Sequence, residues 1–266
     1  MVTAVTRLIA ACSWHPLLTA VLVSIFLLRL LRDMRTFCAL KLHGRYMQRG
    51  DYDGALRVLR WMSLGMPDPW FLRAEGLVLS LAGRPADAAR LYRMALAKAR
   101  GRDCERERLH ACLGYALLDL RKYDEAERCF HDAIEAGDTT GNSQDGLAEV
   151  RLYQGIEPEQ ALHYARQAAE HARRRPDGRI PGAYYGDQAW ALALLGRRDE
   201  ANEALQRALA DSWTLPFGKA NSHWRAGMVL LALEQSAEAR RHFELGRDAD
   251  PRGQSGRRCG ERLRQM

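Results

Sequence analysis

Apolar residues recur along this chain at helical spacing, and the pattern repeats six times around one alanine: GDYDGAL (Ala55), GRPADAA (Ala88), RKYDEAE (Ala126), IEPEQAL (Ala161), GRRDEAN (Ala201) and EQSAEAR (Ala239). Nine residues before the alanine stands Tyr46, Leu79, Leu117, Leu152, Leu192 or Leu230. Four after it stands a filler: Leu59, Tyr92, Phe130, Ala165, Leu205 or Phe243. These offsets place one apolar stripe on a helix before the alanine and another on a helix that contains it. Each unit is therefore predicted to be two helices joined by a tight polar turn.

Small residues sharpen the prediction. Twelve residues before the alanine come Gly76, Gly114 and Gly227, with Ala189 in the fifth unit, and seven after it come Ala95, Ala133, Ala168, Ala208 and Gly246. Glycine inside a helix costs about 1 kcal/mol relative to alanine. Its recurrence predicts a close approach by a neighbouring backbone, and the key alanine of the second helix is the expected partner. Acidic residues precede each alanine (Asp53, Asp87, Asp124, Glu159, Asp199, Glu238), where the positive end of the second helix favours them, and Pro158 suits a first turn. The alanines lie 33, 38, 35, 40 and 38 residues apart, a period that points to stacked supersecondary units.

At this level of detail the pattern resembles the tetratricopeptide-repeat family. The third unit matches best, with Leu113, Gly114, Leu117, Tyr123, Ala126, Phe130 and Ala133 at the family's offsets, and the sixth carries Gly227, Phe243 and a closing Pro251. In the fourth, Glu149 stands where a small residue is expected and Ala165 where an aromatic usually falls, which leaves its register open. The resemblance implies an all-α, right-handed solenoid of about six helix-turn-helix repeats over residues 36–251. Its concave face, lined by first helices, would bind peptide segments of partner proteins. By the same resemblance the candidate groove residues are Trp70, Arg73, Arg108, Tyr115, Tyr153, Gln154, Trp190, Asn221, Trp224 and Met228. Aromatic anchors beside arginine or amide groups suit peptide recognition. The competing reading is that several pack against neighbouring helices, Trp190 and Trp224 foremost. The two-lysine, two-asparagine clamp that some members use for carboxylate termini is not recognisable.

The ends depart from the repeat. Residues 252–266, with five arginines and one glutamate, form either a capping helix from about Gly256 or a solvated basic tail. Leu8 to Leu28 carries no formal charge and is long enough to cross a hydrocarbon core of roughly 30 Å. Residues 1–35 are thus expected to be a transmembrane anchor with a basic flank. Pro16 falls in the first half of the stretch, and RLLRDMR after it offers no cleavage site for a signal peptide. Arg29, Arg32, Arg35 and Lys41 follow the span, so the positive-inside rule places the repeats in the cytoplasm.

Composition adds limits. The chain has 266 residues, 47% hydrophobic and 27% charged, with 9 prolines, enough apolar material for a folded domain. Cys12, Cys38, Cys104, Cys112, Cys129 and Cys259 form no C-x-x-C pair and no zinc-ligand spacing, so they read as free and mostly buried thiols. Eight scattered histidines, and the absence of H-E-x-x-H, G-x-S-x-G, phosphate-loop and dinucleotide motifs, give no sign of an enzyme, a metal or a cofactor. These readings combine into a non-enzymatic, membrane-anchored scaffold that binds partner proteins through its concave face. The alternative, prompted by a net charge of +7, is a basic repeat protein binding RNA or anionic lipid through Arg173, Arg174, Arg175, Arg179 and the C-terminal arginines. Arginines at a helix C-terminus are favoured by the dipole in any case, and that lowers the alternative.

Overall fold

A computed structural model of the protein describes residues 24–26, 38–63, 68–99, 106–178, 181–211 and 213–266. Among these residues the regular structure is helical throughout. Residues 38–48 form α1. The chain then continues through α2 (Tyr52–Ser63), α3 (Pro69–Leu81), α4 (Pro85–Lys98), α5 (Arg106–Asp119), α6 (Tyr123–Glu135) and α7 (Asn142–Gln154). It ends with α8 (Pro158–Arg173), α9 (Gly182–Leu194), α10 (Arg198–Leu209), α11 (Pro216–Ala232), α12 (Ser236–Ala249) and α13 (Gln254–Gln265). Consecutive helices pair as α3–α4, α5–α6, α7–α8, α9–α10 and α11–α12, and first helices of successive units also touch, as α3–α5, α5–α7, α7–α9 and α9–α11.

The repeated phrase builds the turn inside each pair. In the first, second, third, fifth and sixth units the carbonyl of the residue nine before the key alanine accepts an N–H from five residues on: Tyr46 from Asp51, Leu79 from Arg84, Leu117 from Lys122, Leu192 from Arg197 and Leu230 from Gln235. This six-to-one bond closes the end of a helix around one left-handed residue. That residue is Gly50, Gly83 or Gly196 in three units, but Arg121 (φ 58°) in the third and Glu234 (φ 65°) in the sixth. In the fourth unit the same bond runs from Ile156 to Arg151, one position early, and Glu157 (φ 47°) follows as an extra residue before α8. The open register of that unit is thus a one-residue shift of its turn.

All six key alanines are fully buried, at 0% exposure. The helix glycines face a different partner from the one expected. A Cβ on Gly76 would come within 2.6 Å of the Tyr92 ring, one on Gly114 within 2.7 Å of Phe130, and one on Gly227 would strike Phe243. The room is needed by the aromatic filler four residues after the alanine, not by the alanine itself. Size is traded across that pair of positions: glycine stands opposite aromatics, Ala189 goes with Leu205, and Glu149 with the small Ala165.

Two expectations about the ends are settled differently. The C-terminal residues are a helix, α13, which packs on α11 and α12 and reaches across to α3. The expectation of a single-pass membrane protein is not upheld. Among the described residues no helix is long and apolar enough to cross a membrane; α11 has 17 residues and a mixed surface, against about 20 apolar residues for a span. The stretch 8–28 lies outside the described residues except for 24–26, and the cytoplasmic placement that rested on it is withdrawn. Of the cysteines, Cys129 and Cys259 are buried, Cys112 is half-buried and Cys38 is exposed, all as thiols; Cys12 and Cys104 lie outside the described residues.

Candidate functional site

The inner helices of the last three units bring together side chains that are far apart in sequence. Asp145 and Glu149 share a face of α7 at helical spacing, Asp187 comes from α9 and Arg225 from α11, and all four are buried. Arg225 donates from Nε to Asp187 at 2.8 Å and from Nη2 to Glu149, with Asp145 at 3.9 Å. The three carboxylates offer oxygens within 4.8 Å of one another, the disposition of a metal-ligand set. The Arg225 guanidinium stands where such a cation would stand, so the cluster is an ion network closed by its own arginine.

One arginine faces three carboxylates here. Burial, together with the neighbouring Asp187, pushes the Asp145 carboxyl well above the usual range. Asp145 Oδ1 is a buried oxygen with no hydrogen-bond donor facing it. Burial likewise raises Glu149 to about 7, against the pull of Arg225. Around the cluster, Tyr115 Oη donates to the Asn142 carbonyl at 2.7 Å, and Tyr184 Oη to Asn142 Oδ1 at 2.8 Å.

Next to this network lies an aromatic junction centred on Tyr153. Its ring meets Trp190 edge-on at 5.6 Å. Its hydroxyl accepts from Trp224 Nε1 at 3.2 Å and from Arg258 Nη1 of α13 at 3.0 Å. Arg258 also stacks over the Tyr153 ring at 5.3 Å and binds the Asp119 carboxylate. Between α13 and the inner wall a cavity of about 440 Å³ remains, lined by Asp119, Arg121, Tyr123, Tyr153, Trp224 and Met228 among others.

Of the residues expected in a groove, Tyr153, Trp224 and Met228 line this cavity. Trp190, 5% exposed, and Trp224, 8% exposed, are also core residues. Tyr115 faces the buried network and Gln154 is half-buried. Asn221 lies on the other side of Arg225, beside Gly186 and Trp213. Trp70 is exposed and meets Phe71 edge-on at 4.9 Å, and Arg73 and Arg108 are likewise away from the junction. Sequence reasoning missed Asp145, Asp187, Arg225 and Arg258; the single signal was Glu149, an acid at a position otherwise kept small. The arginines of the basic alternative are largely matched. Arg173 and Arg174 pair with Glu170, Arg175 lies 3.7 Å from Asp177, Arg257 donates to the Ala82 carbonyl and Arg258 binds Asp119; Arg179 lies outside the described residues.

No family model matches the chain, and no curated protein matches it. Among solved structures the chain is similar to TTC0263, a thermophilic TPR protein of Thermus thermophilus, with a TM-score of 0.54 and 20% identity over 69% of this chain and 92% of that one. It is also similar to the APC/C hetero-tetramer Cut9–Hcn1, with a TM-score of 0.58 and 15% identity over 87% of this chain and 46% of that one. MamA gives a TM-score of 0.45 at 20% identity, over 63% and 92%. At these identities a likeness speaks for architecture alone, and the first two carry it: the chain has the fold of a tetratricopeptide-repeat solenoid.

Proposed function

We propose that this protein is a protein-interaction scaffold that takes a peptide segment of a partner against its inner wall. The observation that carries the reading is the cavity of about 440 Å³ beside the aromatic junction, where Tyr123, Tyr153 and Trp224 stand next to Arg121 and Met228. Rigid aromatic anchors beside an arginine are the composition that dominates binding energy at protein interfaces, and the volume lies within the range of ligand pockets.

The test uses the full chain as bait in its native lysate at low and high salt, alongside Met228→Glu and Tyr123→Ala, both at half-buried cavity positions. The expected result is a protein kept at high salt by the native chain and lost from both variants. Recovery only of nucleic acid or lipid, eluting with salt and indifferent to the variants, would overturn the reading.

A further inference from the structure

The inner wall already holds one segment, the chain's own α13, and its contacts show which chemistry the wall accepts. Two consecutive arginines do the reaching. Arg257 Nη2 donates to the Ala82 carbonyl in the turn of the second unit. Arg258 binds Asp119 at the end of α5 in the third unit, and Tyr153 of α7 in the fourth through both its hydroxyl and its ring. The apolar side of α13 is separate from these contacts. Cys259 is fully buried, its sulfur near the Ala220 carbonyl of α11 and Gly246 of α12. The helix is thus anchored by one face and presents arginines with the other.

One carboxylate of the wall is left for such a visitor. Asp119, Asp145, Glu149 and Asp187 look toward the interior, and Arg225 is the cation the repeats supply to the last three. Asp119 is matched by Arg258 alone among the ion pairs of the described residues, and its side chain is only 17% exposed. A buried carboxylate stripped of its partner is costly. A guanidinium suits the seat better than an ammonium, because it forks between a carboxylate and a hydroxyl while stacking on a ring.

We propose that the wall formed by Asp119 and Tyr153 is a recognition site for an arginine-bearing helix, that α13 is its built-in occupant, and that the partner segment is a basic helix competing for the same seat. The proposal deepens the scaffold reading and rests on it for the existence of a partner. The cavity beside α13 is where an incoming helix would first lodge before Arg258 yields. While α13 is seated, Arg121, Arg257 and Arg262 also line that cavity, so an acidic peptide is the competing ligand, and the experiment separates the two.

The probe is a fluorescein-labelled peptide with the sequence of residues 252–266, Cys259 replaced by serine, followed by anisotropy against the full chain. A control peptide carries glutamate at both Arg257 and Arg258 positions. The native chain binds the probe weakly, because its tethered helix competes at high effective concentration. Arg258→Ala, which loosens that helix, is expected to bind the probe about tenfold more tightly or better, and adding Asp119→Asn is expected to abolish the gain. A folded Arg258→Ala chain with no gain, or tighter binding of the glutamate peptide, overturns the proposal. Should Arg258→Ala not fold, hydrogen exchange on Asp119→Asn decides. Residues 254–265 should exchange about tenfold faster than in the native chain while α8 and α10 keep their protection; unchanged exchange of α13 overturns the proposal. Because the probe comes from the chain itself, this outcome does not depend on whether a lysate yields a partner.

Discussion

Tyr52 Oη donates to Asp250 Oδ2 at 2.5 Å, joining the first unit to the end of the sixth across 198 residues. Asp250 is 1% exposed, accepts also from the Gly253 N–H at 3.1 Å, and sits beside Gly50. Burial pushes the Asp250 carboxyl up, and the Tyr52 hydroxyl and the Gly253 N–H pull it back. Tyr52→Phe removes one donor from a buried carboxylate and is expected to cost about 1–3 kcal/mol. Urea denaturation followed by circular dichroism checks this; an unchanged midpoint would show that the clasp contributes nothing to stability.

Arg225 holds the larger network together. Arg225→Met strands three buried carboxylates and is expected to destabilise the chain by about 3–5 kcal/mol. Adding Glu149→Gln and Asp187→Asn removes two of the three stranded carboxylates, and denaturant melts should then recover a large part of the loss, because these sites are coupled.

Stability should also report the protons in that network. Glu149 titrates near 7 in the folded chain, raised by burial, against an ordinary value of 4.5. The folded state therefore keeps a proton that the unfolded chain has released. Its contribution is full below 4.5 and is lost as pH rises through 7, a fall on the order of 3 kcal/mol between pH 4.5 and 8. Burial lowers His110, His223 and His242, and they act with the opposite sign, losing stability as pH falls below 6.5. Subtracting the pH profile of Glu149→Gln from that of the native chain isolates the glutamate; a flat difference would refute its proton.

Glu234 is a left-handed residue at φ 65° in a turn where other units use glycine. The side chain pairs with Arg198 at 3.0 Å, but both partners are exposed and such a pair is worth little. Glu234→Gly is expected to stabilise the chain by about 1 kcal/mol, because relief of the left-handed strain exceeds the lost pair. Thermal melts should show a rise of a few degrees, roughly 2–4 °C.

The helices and their turns were legible because one sequence statement is made six times. The alanines, the residues nine before them and the fillers all fell where periodicity placed them. The partner of the helix glycines was misjudged, since offsets along a chain give spacing and not which side chain fills the gap. The ion network was illegible for a stronger reason: Glu149 and Arg225 lie 76 residues apart, and nothing local to either names the other. Glu149 read as a flaw in its unit because its reason lies two units away.

The clasp between Tyr52 and Asp250 also constrains how many units the protein can have. Each helix pair adds an increment of rotation and rise, so an open array tolerates gaining or losing one. Here a seventh unit, inserted between the third and the sixth, would carry Asp250 and α13 away from Tyr52 and from the turn at Ala82. The first and last units would lose their mutual cover, and Asp119 would lose its arginine. The protein's copy number is therefore set by closure, as the number of staves is set by the circumference of a cask.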